Sequence, residues 1–223
     1  MDTVEYAPGR LVDLLGEPRQ PTVLIWHGMQ SNARTSVRLL AEQVAGHGLA
    51  VVVPDWDSHA DDGGRSDLLQ SVHFAQQRST DGGGLTLVGW SMGGLAAAGL
   101  TVNAARHDVR LRHTVCLAGA FAAVDPISGN RPAADLANGG PPSPFTLLHG
   151  AADDVVGVSA SRQFAAALDD HGWPVRLAEL DADHGSIAGA RYDPVAGRYS
   201  VSDDPRTHAV ALDVAARIAA AIA

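Results

Sequence analysis

The stretch from Leu85 to Ala98 constrains this chain more than any other. Residues 85–88, Leu-Thr-Leu-Val, form a short β-prone run that reads as a buried strand. Leu95, Ala96, Ala97 and Ala98 open a run of strong helix formers. Between them lies Gly89-Trp90-Ser91-Met92-Gly93, so the chain must turn sharply from strand to helix with Ser91 at the apex. Gly89 and Gly93 remove side chains where backbone segments approach closely. Such a turn holds its central residue in a strained conformation and lifts the Ser91 hydroxyl above the sheet edge. The helix that begins there points unpaired N–H groups at the same place. A capping serine in a glycine-rich turn is the bland alternative, and the strand and helix on either side argue against it.

The rest of the chain repeats the rhythm of strand and helix. Residues 22–26 (TVLIW), 49–53, 113–117, 145–148 and 175–180 are further short apolar strands. Helices are predicted over 33–46, from Ser66 or Asp67 onward, over 92–106 and over 159–170, where Ser159 is a candidate cap. A closing helix follows Asp204-Pro205, with Val210, Val214, Ile218 and Ile222 at intervals of four. The strands are apolar throughout rather than alternating. That predicts an α/β fold with a mostly parallel central sheet covered by helices on both faces. Residues 55–65 are polar and acidic and read as loop, and 122–144 are rich in Gly and Pro, with one short helical turn near 132–138.

A length of 223 residues fits one domain, 1–223, and the net charge of −9 gives no support to nucleic-acid binding. The first nineteen residues carry Asp2, Glu5, Asp13 and Glu17 and do not read as a secretory signal. No stretch is apolar for long enough to span a membrane, so a cytoplasmic protein is the expectation, as monomer or homodimer. The single cysteine, Cys116, lies in an apolar strand and reads as a small core residue. No metal or cofactor is expected. Asp55, Asp57, His59, Asp61 and Asp62 read as a solvated loop, and the turn Asp81-Gly82-Gly83-Gly84 precedes a strand, whereas a phosphate loop follows one.

A serine hydroxyl becomes a useful nucleophile when a base takes its proton and a third group orients the base. His184, in the loop after the 175–180 strand, is the candidate base, since imidazole exchanges protons near neutrality. Most of the other histidines lie at helix ends, within helices, at a strand start or in the polar loop. Asp153, just past the 145–148 strand, is the candidate orienting acid, and its spacing from the strand favours it over Asp154. Asp181 and Asp183 read as surface or capping groups. Backbone N–H groups of Met92 and of the loop after His27-Gly28, with Met29 favoured over Gln30, are candidate donors to an oxyanion. Gln30, Trp90, Trp56, Phe121 and Ile187 are pocket candidates by position, alongside Ser31 and Asn32. The side chains of His27 and His149 are expected to brace their loops.

Taken together, these segments resemble the α/β-hydrolase superfamily. The matching parts are the His27-Gly28 loop, the turn from Gly89 to Gly93, His149-Gly150-x-x-Asp153-x-x-Val156 and Asp183-His184-Gly185, in the expected order. Within it the chain is similar to small lidless carboxylesterases and to dienelactone hydrolase-like proteins. Tyr192-Asp193-Pro194-Val195-Ala196 resembles the latter group, whose usual nucleophile is cysteine, a point from which Ser91 departs. The resemblance implies an α/β-hydrolase fold without a large cap domain, with 122–144 at the lid-insertion position. It also implies hydrolysis of a small-molecule carboxylic ester through an acyl-enzyme on Ser91. A thioesterase, amidase or acyltransferase would use the same residues, and a non-catalytic ligand-binding protein of this fold is the more distant alternative.

Overall fold

The computed structural model of the chain describes residues 1–80 and 82–222, so Asp81 of the glycine-rich turn lies outside the described residues. Eight strands form one sheet: β1 (Asp2–Ala7), β2 (Arg10–Leu15), β3 (Thr22–Trp26), β4 (Ala50–Pro54), β5 (Leu85–Trp90), β6 (Leu111–Leu117), β7 (Phe145–Gly150) and β8 (Val175–Leu180). Their spatial order is β1-β2-β4-β3-β5-β6-β7-β8. Pairing is parallel from β4 through β8 and antiparallel at β1–β2 and β2–β4. A mostly parallel central sheet with helices on both faces is the architecture expected from the continuous apolar strands, and the described residues form no separate cap domain.

The pleat explains why those strands are apolar throughout. Side chains alternate between faces along a strand. Leu24 and Trp26 point to one side with Leu85, Leu87, Cys116 and Leu147. There they meet α2 (Arg65–Arg78), α3 (Met92–Val102) and α5 (Ser159–Asp170). Val23 and Ile25 point to the other side with Val51, Val53, Val88, Val115 and Leu148, against α1 (Arg38–Gly46) and α6 (Pro205–Ile222). Both faces are covered, so neither tolerates alternating polar residues. Helix α3 is buried along nearly its whole length, which suits a helix that is small and apolar all round. Helix α6 buries Thr207, Ala211, Val214, Ala215 and Ile218, one stripe of an amphipathic helix. Its start is capped by Asp204, whose Oδ2 accepts the Thr207 N–H at 2.8 Å.

Several boundaries differ from the sequence reading. The 33–46 segment begins as a 3-10 turn, Arg34–Val37, before α1. The segment after Val102 is likewise a 3-10 turn, Ala104–His107, rather than more of α3. Ser159 is the first residue of α5, preceded by Val158, and makes no side-chain capping bond. The polar loop after β4 starts inside the molecule, with Asp55 and Trp56 both buried. Two hairpins escape the periodicity altogether: β1–β2, and β9 (Ala190–Asp193) with β10 (Arg198–Val201). Residues 122–144 lie on the body of the protein. The short α4 (Pro132–Asp135) runs into a 3-10 turn, and Ile127 and Leu136 join the core. No helix among the described residues is long and apolar enough to cross a membrane.

Candidate active site

Ser91 follows β5 directly and precedes α3, with φ 57° and ψ −116°. A positive φ in a residue with a side chain is strained, and it persists only where the surroundings impose it. The surroundings here are two very close approaches. A Cβ on Gly93 would lie 2.4 Å from the His27 carbonyl oxygen and 2.6 Å from that of Trp26. A Cβ on Gly89 would lie 2.1 Å from the Gly93 oxygen. The Ser91 N–H is anchored to the Leu117 carbonyl at 2.8 Å, which ties the turn to β6.

Parallel strands end at one edge of the sheet, and their following loops cluster there. The loops after β5, β7 and β8 bring Ser91, Asp153 and His184 together. His184 Nε2 lies 3.0 Å from Ser91 Oγ, and His184 Nδ1 lies 2.7 Å from Asp153 Oδ2. Asp154 is exposed and has no such contact. The second oxygen of Asp153 accepts the N–H groups of Val155 at 2.9 Å and Val156 at 2.8 Å. Burial alone would raise this carboxyl's pKa. The hydrogen bonds from His149, His184 and Val156 outweigh it and hold Asp153 well below the usual carboxylate range. It is therefore an anion across the working range of an ordinary protein.

The two His-Gly histidines are braces. His149 is fully buried, donates from Nε2 to the Val156 carbonyl at 2.7 Å and approaches Asp153 at 3.4 Å, while its Nδ1 meets Ser161 Oγ at 2.7 Å. His27 donates from Nδ1 to the Gly28 carbonyl at 2.8 Å. Its Nε2 accepts from the N–H groups of Ala33 and Trp56, at 3.2 and 3.3 Å. These bonds require the neutral ring, and burial lowers its pKa to about 4. Arg34, between Asp13 and Asp55, fixes the far end of the same loop.

Protonating His27 removes the acceptor for two buried N–H groups. The unfolded chain takes up that proton below its ordinary value of 6.5, while the folded protein resists until about 4. The stabilisation is therefore complete above 6.5 and is lost as pH falls through 4, by about 3 kcal/mol in total. Chemical denaturation from pH 7 to pH 4 is expected to show this loss in the native chain and a flatter profile in His27→Gln.

Met92 is the first residue of α3, and its N–H has no acceptor within the helix. Met29 is 57% exposed beside this turn. Neither backbone N–H has an acceptor among the described residues. Most of the other predicted pocket residues are buried. Trp56 and Ile187 are fully buried, and Trp90 and Phe121 nearly so. Trp90 points into the core below the turn and donates its indole N–H to the His184 carbonyl at 2.7 Å. Phe121 stacks on Phe164 with ring centroids 4.3 Å apart. Gln30 is a clamp: its amide oxygen accepts the Tyr199 N–H at 2.5 Å and its amide nitrogen donates to the Tyr199 carbonyl at 3.2 Å. Of the two further candidates, Ser31 donates to Asp57, and Asn32 accepts from Arg10.

Beside that clamp lies an aromatic pair that the sequence reading did not assign to the site. Tyr199 of β10 packs edge-on to Trp90 at 5.0 Å, leans on His184 at 5.8 Å and meets Tyr192 of β9 at 5.1 Å. Burial, and then the charges of Asp153, Asp154 and Asp183, push the Tyr199 hydroxyl up to about 12, so it stays neutral. Asp183 caps its own turn through the N–H groups of Gly185 and Ser186, and Asp181 pairs with Arg206 at the surface. Cys116 is buried in the core, where burial pushes its thiol pKa up.

A sheet in this order, with a strained serine after its fifth strand, aspartate after the seventh and histidine after the eighth, defines the α/β-hydrolase class. The model of the alpha/beta hydrolase family matches residues 23–223, and the chain belongs to that family. No curated protein matches it by sequence. Among solved structures it is similar to a thermophilic esterase from Thermogutta terrifontis with propionate bound. That match has 17% identity and a TM-score of 0.73, over 99% of this chain and 94% of the other. The same organism's esterase 2 phosphorylated by paraoxon matches at 18% identity and a TM-score of 0.71, over 96% and 91%. An esterase from Pyrobaculum calidifontis matches at 16% identity and a TM-score of 0.72, over 100% and 85%. At such identities the likeness is one of fold.

Proposed function

We propose that the protein is a serine hydrolase that cleaves small or medium carboxylic esters through an acyl-enzyme on Ser91. The observation that carries this reading is the unbroken contact chain from Ser91 Oγ through both nitrogens of His184 to an ionised Asp153. The fold alone would not suffice, since one fold hosts many functions.

In the first half-reaction His184 Nε2 accepts the Ser91 proton as Oγ forms a bond to the ester carbonyl carbon. Negative charge moves to the carbonyl oxygen, where the N–H groups of Met29 and Met92 receive it. Each such donor contributes about 2.7–4 kcal/mol of transition-state stabilisation. The bond to the alcohol oxygen then breaks as Nε2 returns the proton to that oxygen. In the second half-reaction water gives a proton to His184 Nε2 and attacks the acyl carbon; the bond from that carbon to Ser91 Oγ then breaks, and Nε2 returns the proton to Oγ as the acid leaves. Asp153 keeps its proton-free state throughout and stabilises the imidazolium. The Thermogutta esterase has been seen with propionate and butyrate bound and phosphorylated by paraoxon, which supports the same chemistry here.

Purified protein is expected to hydrolyse p-nitrophenyl acetate, and to act on matched thioester and anilide substrates at lower kcat/KM. Equal or greater turnover of the thioester or the amide would move the assignment to those classes. His149→Phe removes the buried donor behind Asp153. It is expected to lower kcat about ten- to a hundredfold with KM little changed, because it loosens the acid rather than the substrate.

A further inference from the structure

Two hollows lie near the site, one touched by His184 and the other by Met92, and their walls differ. The larger, about 680 Å³, is touched by His184 and walled by Tyr192, Tyr199 and Val155, with Asp154 and Asp183 at its edge. The smaller, about 360 Å³, is touched by Met92 and walled by the exposed Val124 and by Pro126, with Asp61, Asp62 and Asp125 beside them and no aromatic ring. Tyr192 and Val155 are 53% and 59% exposed, so apolar surface lies open at the larger hollow. Neither joins the core clusters, so folding does not account for their apolar surface.

Acyl transfer sorts the two halves of an ester between such hollows. The carbonyl carbon must meet Ser91 Oγ, and the carbonyl oxygen must face the N–H groups at 29 and 92. The alcohol oxygen must lie at His184 Nε2, because that nitrogen returns the proton to it. The alcohol half therefore extends from His184, and the acyl half leaves on the side of Met92.

Building on the esterase reading, we infer that the alcohol half of the substrate is its bulky aromatic part, held against Tyr192, Tyr199 and Val155, and that the acyl half is short. The substrate class is an uncharged arylalkyl or aryl ester of a short carboxylic acid. The carboxylates of Asp154 and Asp183 repel an anionic ring substituent. Arg191, also in this wall, does not offset them, since it faces Asp203 at 3.6 Å. Gln30 holds the Tyr199 backbone by two hydrogen bonds, and the Tyr199 ring packs among Trp90, His184 and Tyr192.

The test uses two isomeric esters with the ring on opposite sides of the same bond. They are 2-naphthylmethyl acetate and methyl 2-naphthylacetate, whose leaving alcohols are similar in acidity. The first is expected to show a kcat/KM about tenfold or more above the second, the scale of burying one large apolar group. Tyr192→Ala and Val155→Asp are each expected to cut that ratio at least about threefold. Equal rates, a preference for methyl 2-naphthylacetate, or a ratio unmoved by both variants overturns the orientation. So does failure of both isomers while p-nitrophenyl acetate is hydrolysed in a Ser91-dependent way, a result that leaves the esterase reading standing. If p-nitrophenyl acetate is not hydrolysed either, the esterase reading falls and takes the orientation with it.

Discussion

Replacing His184 with alanine is expected to lower kcat for a short-chain ester by about 10⁴- to 10⁶-fold. Ser91→Ala should fall into the same range, and the double variant should lose little beyond either single one. In the proposed mechanism Ser91, His184 and Asp153 act as one proton-transfer unit. Once the base is gone the hydroxyl has no acceptor for its proton, and removing the hydroxyl then costs little more. The residual rate expected on this proposal comes from the N–H groups of Met29 and Met92 together with substrate positioning. Asp153→Asn should be less severe, at about 10⁴-fold, because it leaves the nucleophile and base in place but misdirects the imidazole. Steady-state kinetics on the three single variants and the Ser91/His184 double would reveal the pattern. Losses that multiply in the double variant would show that the two residues do not act as a unit.

The second large effect is on folding. Gly93→Ala is expected to destabilise the protein by about 4 kcal/mol or more, or to prevent soluble expression. The added methyl would meet two carbonyl oxygens of the β3 end, Trp26 and His27, neither of which can swing aside as a side chain would. Relief requires α3 to move off the sheet, and α3 is buried along almost its whole length. Gly46→Ala, where a Cβ meets nothing within 4 Å, is the control and should be neutral or slightly stabilising. Urea unfolding of both variants would distinguish a clash at residue 93 from a general intolerance of alanine.

The sheet and the Ser91–His184–Asp153 set were legible because each rests on strong local signals in a fixed order. Residues 22–26 and 145–148 are strands because both their faces are buried, and continuous apolar sequence has few other meanings. Strand β5 runs two residues beyond its apolar run, since Gly89 and Trp90 still pair with Cys116 and Leu117. The hairpin β1–β2 left little trace. Its outer strand is mostly exposed, and β2, whose Val12 reaches the core, is interrupted by the charged Asp13 and is held also through pairing with β4 and the Asp13–Arg34 contact. The β9–β10 hairpin is polar and exposed for the same reason, and its turn is set by Asp193 accepting the N–H groups of Val195 and Ala196.

Side-chain direction was the part that sequence position could not supply. Trp90 adjoins Ser91, yet it is the last residue of β5 and its ring follows the pleat into the core, while the positive φ at Ser91 turns the serine away from the strand. Trp56 follows a strand end but is drawn inward, stacked on His27 at 5.4 Å. Gln30 is spent on the backbone of Tyr199, which lies 169 positions away. The aromatic wall itself comes from Tyr192 and Tyr199, residues whose closeness to His184 depends on how a hairpin folds back.

The most direct measurement of the central claim is covalent labelling by a fluorophosphonate, read by intact mass and peptide mapping. The predicted result is one adduct per chain, on Ser91, formed in step with loss of esterase activity and absent from His184→Ala and Ser91→Ala. An adduct on another residue, or ester hydrolysis that survives in folded Ser91→Ala, would contradict it.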